Sequence, residues 1–270
     1  MIEQPVSVLK FGSSVLRSEE DLPIAVREIR HELSGGHRVV AVVSAFAGAT
    51  DRLLETAEQH FDRPQATSLA RLLATGETVA AASLGMSLDD AGVPNRVFEH
   101  HDVKLKTSGP VLDAEPESLD VEVLERALRT VPVVVVSGFA GQNDDGLPSV
   151  LGRGGSDTTA LFLAKRLGAG RCRLIKDVDG LYSVDPHRRK VVAHRYRVAS
   201  WDEALRVGGG LIQPKAVRYA RKHDLSFIVC AAASGVGTII GAAESKYATD
   251  GVAPAPVHGS RSAASVTVRA

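Results

Sequence analysis

The 270-residue sequence carries no charge of one sign in excess: 32 lysines and arginines stand against 32 aspartates and glutamates. Binders of nucleic acid or of anionic membranes carry a basic surplus, so neither is expected as a partner. Cysteine is scarce too. Its two copies, Cys172 and Cys230, each sit inside an apolar strand-like run and read as small core residues. This excludes a disulfide framework and a cysteine metal site, and no residue is assigned as a protein ligand of a metal. No apolar run reaches the ~18 residues that argue for a membrane span. The start, Met1-Ile2-Glu3-Gln4-Pro5, lacks the basic region and apolar stretch of a secretory signal. A soluble cytoplasmic chain is therefore expected. No internal repeat is found.

What is present is a 44% hydrophobic content, enough for one large domain or two intimate lobes. Val6–Phe11 reads as a strand that ends in Gly12-Ser13-Ser14. Leu22, Val26, Ile29 and Leu33 form one face of a helix, stopped by Gly35-Gly36. Arg38–Ser44 and Val131–Ser137 are continuous apolar runs, the pattern of strands buried on both faces. Helical patterns follow near Asp51–His60 and Gln65–Leu84, and again around Val121, Leu124 and Leu128. Short strands are expected at Arg96–Glu99 and Val103–Leu105. Beyond, Ser156–Leu167, Ser200–Arg206 and Lys215–His223 read as helices, and Arg171–Ile175 and Ser226–Cys230 as strands. Strands alternating with helices predict an α/β layer fold around a largely parallel sheet. After Gly241 the composition shifts to Ala, Ser, Pro and Gly, and residues 242–270 are expected as a disordered tail.

The stretch from Leu151 to Ala160, Leu-Gly-Arg-Gly-Gly-Ser-Asp-Thr-Thr-Ala, is the most informative. Gly152, Gly154 and Gly155 have no Cβ, so an anion can approach the backbone N–H groups. The helix that follows turns its positive end to the same spot. Arg153 adds a permanently charged fork suited to a carboxylate or phosphate. The plainer alternative is a glycine turn in which Ser156 or Asp157 caps the helix. A mere turn, however, has no use for an arginine among its glycines.

Other loops also follow buried strands, where ligands of open α/β sheets sit. Lys10, beside Gly12 and Ser13, suits a phosphate, or it snorkels from a strand edge. Ser44 and Thr50 could touch a ligand or cap the next helix. Gly138–Gly146 could be an ordinary connecting loop. Glu77, in Thr75-Gly76-Glu77, lies inside an apolar helical segment and requires a cation from the protein or from a ligand. Lys176 to Pro186 holds Asp-Gly and Asp-Pro turns around Tyr182: these could be plain turns or, directly after a buried strand, a place for adenine and ribose.

Taken in order, these segments resemble the aspartate kinase branch of the amino acid kinase family. The matching residues are Lys10-Phe11-Gly12 with Val15, Ser44-Ala45 with Thr50-Asp51, and Leu73 through Gly76-Glu77. They continue with Gly138-Phe139 and Gly141, Leu151 to Asp157, and Asp177-Val178-Asp179-Gly180 to Asp185-Pro186. Trp201-Asp202-Glu203-Ala204 and Gly237-Thr238-Ile239 extend the match to residue 241.

The resemblance implies a three-layer αβα sandwich over residues 1–241. Its amino-acid lobe would span about residues 1–150 and its nucleotide lobe about 151–241. It implies ATP and Mg²⁺, and transfer of a phosphoryl group to the side-chain carboxylate of an amino acid, most simply L-aspartate. Lys10 and Asp157 would be catalytic, the first on the phosphoryl group and the second orienting lysines or the Mg²⁺ shell. Arg153 and Glu77 would take the α-carboxylate and α-ammonium, with Ser44 and Thr50 near substrate and phosphate. Gly12, Ser13, Gly154, Gly155 and Ser156 would cradle phosphates. Lys176, Asp177, Tyr182 and Asp185 would line the nucleotide site. A homodimer is expected.

The chain also departs from the family pattern. Gly12-Ser13-Ser14 replaces Gly-Gly-Thr, and Lys176 replaces a threonine. A nucleotide-side Gly-Ala-Lys-Val-Leu-His-Pro becomes Gly208-Gly209-Gly210-Leu211-Ile212-Gln213-Pro214, so its lysine is lost at Gly210. Lys176 or Lys215 could replace that charge, and Lys215, at a helix start, is the expected one. Regulatory ACT domains, and feedback inhibition through them, are not expected. Two alternatives stay open: another amino acid or small acid as acceptor, and a catalytically weak nucleotide-binding subunit.

Overall fold

The computed structural model describes residues 4–186 and 192–252. Along the chain run β1 (Val6–Phe11), α1 (Leu22–Ser34), β2 (Arg38–Val43), α2 (Ala49–His60), α3 (Ala66–Asp90) and β3 (Asn95–Phe98). Next come β4 (Lys106–Ser108), β5 (Glu115–Ser118), α4 (Val121–Thr130), β6 (Val133–Ser137), β7 (Ala140–Gln142), β8 (Pro148–Val150) and α5 (Gly155–Arg166). The chain continues through β9 (Arg171–Lys176), β10 (His194–Ser200), α6 (Trp201–Val207), α7 (Pro214–Lys222), β11 (Phe227–Ala231), β12 (Thr238–Gly241) and β13 (Lys246–Val252).

The valine runs of β1, β2 and β6 lie side by side in parallel, and nearly all their residues are buried. A strand covered on both faces shows no polar side, which is why these runs do not alternate. Each such side chain withdrawn from water contributes on the order of 1.5–3 kcal/mol. The nine-stranded sheet has the order β13-β10-β12-β11-β9-β1-β2-β6-β3. Its pairs are parallel except β11 with β12 and β10 with β13. The strand period of two sorts side chains by face. Val8, Val40, Val42, Val134 and Leu174 pack with α4, α5, α6 and α7. Leu9, Phe11, Val39, Ala41, Val135 and Ile175 pack with α1 and α3. The result is the expected three-layer αβα arrangement with a largely parallel central sheet.

Three expectations change. Val103 and Leu105 are buried but not a strand: the chain turns there, with Lys104 at φ 48°, and β4 starts only at Lys106. The 138–146 loop becomes β7 and, with β8, half of a second sheet of order β5-β4-β7-β8. The expected tail is shortened at its start. β13 pairs with β10, and the ring of Tyr247 stacks on Tyr196 at 4.6 Å. An average composition over 242–270 hid this one short strand. The rest of the expected tail, 253–270, lies outside the described residues.

The parallel strands β1, β2, β6 and β9 all end on one edge of the sheet. The loops 12–14, 44–48, 138–139 and 177–186 leave from that edge, beside the start of α5.

Candidate active site

Strand register builds the centre of the site. Lys10 lies opposite Leu174 on the neighbouring β9, and Lys176 is two residues further on. With a period of two, both lysines project from the same face, the one that α5 covers. Asp157 stands in the first turn of α5 and meets them both. Lys10 Nζ is 2.7 Å from Asp157 Oδ1, and Lys176 Nζ donates to Oδ2 at 2.9 Å. All three residues are at most 7% exposed. The backbone is shaped around them. A Cβ at Gly12 would stand 3.0 Å from Lys10 Nζ, and Gly154 starts α5 from the left-handed region at φ +80°. Gly154 is thus the N-cap, and neither Ser156 nor Asp157 caps the helix.

Two ammoniums share one carboxylate, so this cluster carries a surplus positive charge with little water around it. Burial pushes the Asp157 carboxyl up, but Lys10 and Lys176 outweigh it and hold the group down at about 2. Burial lowers the Lys10 ammonium, and Lys176 adds to that against the pull of Asp157. The positive end of α5 points to the same place.

Glu77 has the opposite character. It sits on α3, 3% exposed, where Gly76 lets the helix approach the loop after β2 closely: a Cβ there would meet Ala45 Cβ at 2.9 Å. Oε1 accepts from the Ala45 N–H at 3.2 Å, and Oε2 has no hydrogen-bond partner. Burial pushes the carboxyl up to about 7, and the Ala45 hydrogen bond and the field of Lys10 offset only part of that. No protein cation pairs with it directly among the described residues.

Ser44 and Thr50 are half-buried where the β2 loop enters α2. The N-cap of α2 is Gly48, and no side chain caps it, so these hydroxyls are not spent on capping. Ser13 and Arg153 are exposed at the same edge, and no hydrogen bond or ion pair engages Arg153 among the described residues.

A cavity of about 610 Å³ opens beyond β9, lined by Asp177, Gly180, Tyr182 and Asp185 on one side. Arg206, Val207, Gly210 and Leu211 form the other wall. The sequence does not mark Arg206 and Val207, which adjoin the glycine segment, or Leu211 within it, as site residues. Tyr182 donates its hydroxyl to Asp179 at 2.8 Å, and Asp179 lies 3.6 Å from Arg195. The tyrosine offers the cavity its ring, not a free hydroxyl.

Of the two substitute cations, Lys176 joins Lys10. Lys215 does not: its ammonium bonds Asp113 at 2.6 Å and the Ala114 carbonyl at 2.9 Å. It fastens α7 to the loop before β5. A Cβ at Gly210 would meet open space, so packing does not require the glycine there.

This fold, with lysines at strand ends around an aspartate at a helix start, defines a class. Residues 5–231 match the model of the amino acid kinase family, and the chain belongs to that family. Within it, the chain is similar to aspartokinases. It is 34% identical over 239 residues to the aspartate kinase of Stutzerimonas stutzeri, covering 86% of this chain and 57% of that protein. With aspartokinase 2 of Bacillus subtilis the identity is 35% over 221 residues, 81% of this chain and 54% of the relative. The chain thus spans about half the length of these relatives. The crystal structure of aspartate kinase from Synechocystis superposes with a TM-score of 0.75 at 32% identity, covering 89% of this chain and 41% of that one.

Proposed function

We propose that the protein transfers the γ-phosphoryl group of ATP to the side-chain carboxylate of L-aspartate, giving 4-phospho-L-aspartate and ADP. The carrying observation is the buried surplus positive charge of Lys10, Lys176 and Asp157. A carboxylate acceptor is already ionised at pH 7, so no general base is needed. Its oxygen attacks the γ-phosphorus, the bond from that phosphorus to the β,γ-bridging oxygen breaks, and ADP leaves with the electron pair. Positioning and charge neutralisation then supply the catalysis.

Lys10 and Lys176 contact the transferring phosphoryl, and Asp157 holds both ammoniums in place. Lys176 takes over the charge absent at Gly210. The unpartnered Oε2 of Glu77 receives the substrate ammonium, and Arg153 its α-carboxylate. Ser44 and Thr50 add hydroxyls beside them. Backbone N–H groups of Gly12, Ser13, Gly154, Gly155 and Ser156 take phosphate oxygens. Asp177, Tyr182 and Asp185 line the purine and ribose side.

The donor set suits Mg²⁺ that arrives with the nucleotide. Asp157 is committed to lysines, and Asp177 and Asp185 line the cavity. When bound, the ion neutralises phosphate charge. We further assign the amino-acid side to about residues 1–150 and the nucleotide side to about 151–241. A cytoplasmic homodimer completes the proposal. Exposed Val79 and Met86 on α3, next to Val97 on the edge strand β3, support a second copy there. Light scattering of the purified chain tests it.

The activity itself is tested by trapping acyl phosphate with hydroxylamine across a panel of amino acids and small acids. Aspartate should give hydroxamate and succinate little. A preference for another acceptor revises the substrate, and no product with any of them refutes the kinase reading.

A further inference from the structure

The edge strand β3 leads into the turn Glu99-His100-His101-Asp102, and the fold gathers the first three around one point. One donor atom from each of Glu99, His100 and His101 lies within 4.8 Å of the other two. No other such group of histidine, cysteine or carboxylate donors occurs among the described residues. We propose that these three side chains form a binding site for a divalent transition-metal ion of the zinc type, with an open coordination position toward the adjoining cavity.

The local chain is fixed tightly enough to present such a site. Asp102 accepts the Glu99 backbone N–H at 2.8 Å, and the Leu105 N–H bonds the His100 carbonyl at 2.9 Å. Thr78, on α3, donates to Glu99 Oε2 at 2.9 Å and so anchors the carboxylate from outside. His101 is oriented as metal-binding histidines are. Its Nε2 lies 3.5 Å from Asp102 Oδ1, and its Nδ1 lies 3.9 Å from Glu99 Oε2. A proton on Nε2, facing Asp102, leaves the Nδ1 lone pair facing another carboxylate. A cation between those two atoms resolves that opposition. His100 is 8% exposed, held in place beneath the exposed His101 ring, whose centroid lies 5.5 Å from its own.

Two imidazoles and a carboxylate suit zinc and its neighbours better than Mg²⁺ or Ca²⁺. Around a tetrahedral ion held at 2.0–2.2 Å, ligand atoms stand about 3.3–3.6 Å apart. The present spacing, up to 4.8 Å, is wider by about 1.2–1.5 Å, within reach of side-chain rotation in the exposed His101. The same three residues line a cavity of about 450 Å³ that also holds Arg71, Thr75 and Gln142. The open position would face that space, and Arg71 would favour an anionic fourth ligand. Thr75 and Thr78 belong to a different face of α3 from Glu77, which points to Ala45. The metal site is thus separate from the phosphoryl site.

The test uses the untagged full chain, stripped with chelator, titrated with Co²⁺ and followed by its visible d–d bands, with Zn²⁺ as competitor. One equivalent should bind with a tetrahedral spectrum. His101→Ala and Glu99→Gln should each weaken binding at least about tenfold, and Asp102→Asn should weaken it less. His101 is exposed, so its variant should fold, and circular dichroism checks this. If it does not, Glu99→Gln and Asp102→Asn decide. No saturable spectrum, equal affinity in the folded variants, or an ultraviolet thiolate band from Cys172 or Cys230 overturns the proposal.

Discussion

Asp157 and Glu77 are equally buried, each 3% exposed, yet burial has opposite consequences for them. Asp157 starts a helix and faces two ammoniums, so its carboxyl lies low, at about 2. Glu77 projects from the middle of α3, receives one backbone N–H, and its carboxyl rises to about 7. One carboxylate is compensated in advance and organises cations. The other is left one partner short, and that gap is the one the proposed substrate ammonium would fill. Burial alone therefore says little about a charged group's task, and the partners within about 3 Å decide it.

The contrast can be broken most severely at Asp157. Asp157→Ala leaves two buried ammoniums facing each other, and we expect a loss of about 3–5 kcal/mol in denaturant unfolding. Stability unchanged within error would mean that the ammoniums find water or another partner. Lys10→Ala leaves Asp157 paired with Lys176, so the fold should persist. Its turnover should fall at least about 100-fold, the scale of one lost electrostatic stabiliser. A near-normal rate removes Lys10 from the reaction.

Glu77 sharpens the comparison through pH. Its folded value lies above that of the unfolded chain, so its contribution is fully present below about pH 4.5. It is lost as pH rises through about 7. Without substrate, Glu77→Gln should therefore gain on the wild type by about 2–3 kcal/mol between pH 4.5 and 8. The same variant should raise KM for the amino acid at least about tenfold and flatten its fall with pH around 7. Parallel pH profiles for the two proteins would contradict the unpaired carboxylate. Lys215→Ala should have the smallest effect. It breaks an ion pair with the exposed Asp113, worth up to about 1 kcal/mol, and should leave KM for ATP nearly unchanged. A large rise in that constant would return Lys215 to the phosphates.

Much of this was legible in the sequence. The valine runs of β1, β2 and β6 show as strands because both faces are buried. Lys10 stands out between Leu9 and Phe11, and Glu77 and Asp157 stand out as charges among small, glycine or hydroxyl neighbours. The small sheet was not legible. β4 and β5 hold three or four residues each, several polar, and their partners rather than their own pattern make them strands. The Lys176–Asp157 pair was hidden too. It depends on the register that sets Lys10 opposite Leu174, a relation between residues far apart along the chain. The sequence favoured Lys215 by its place before a helix, but its reach is fixed by Asp113.

The most direct test of the central claim moves the second ammonium. Lys176→Thr should raise KM for ATP and lower turnover, and adding Gly210→Lys should recover much of the loss, because residue 210 faces open space on the wall of the cavity lined by Tyr182 and Asp185. Steady-state kinetics of the wild type, the single variant and the double variant read this out. Full activity in Lys176→Thr alone would show that Lys176 carries no phosphate charge and would contradict the claim.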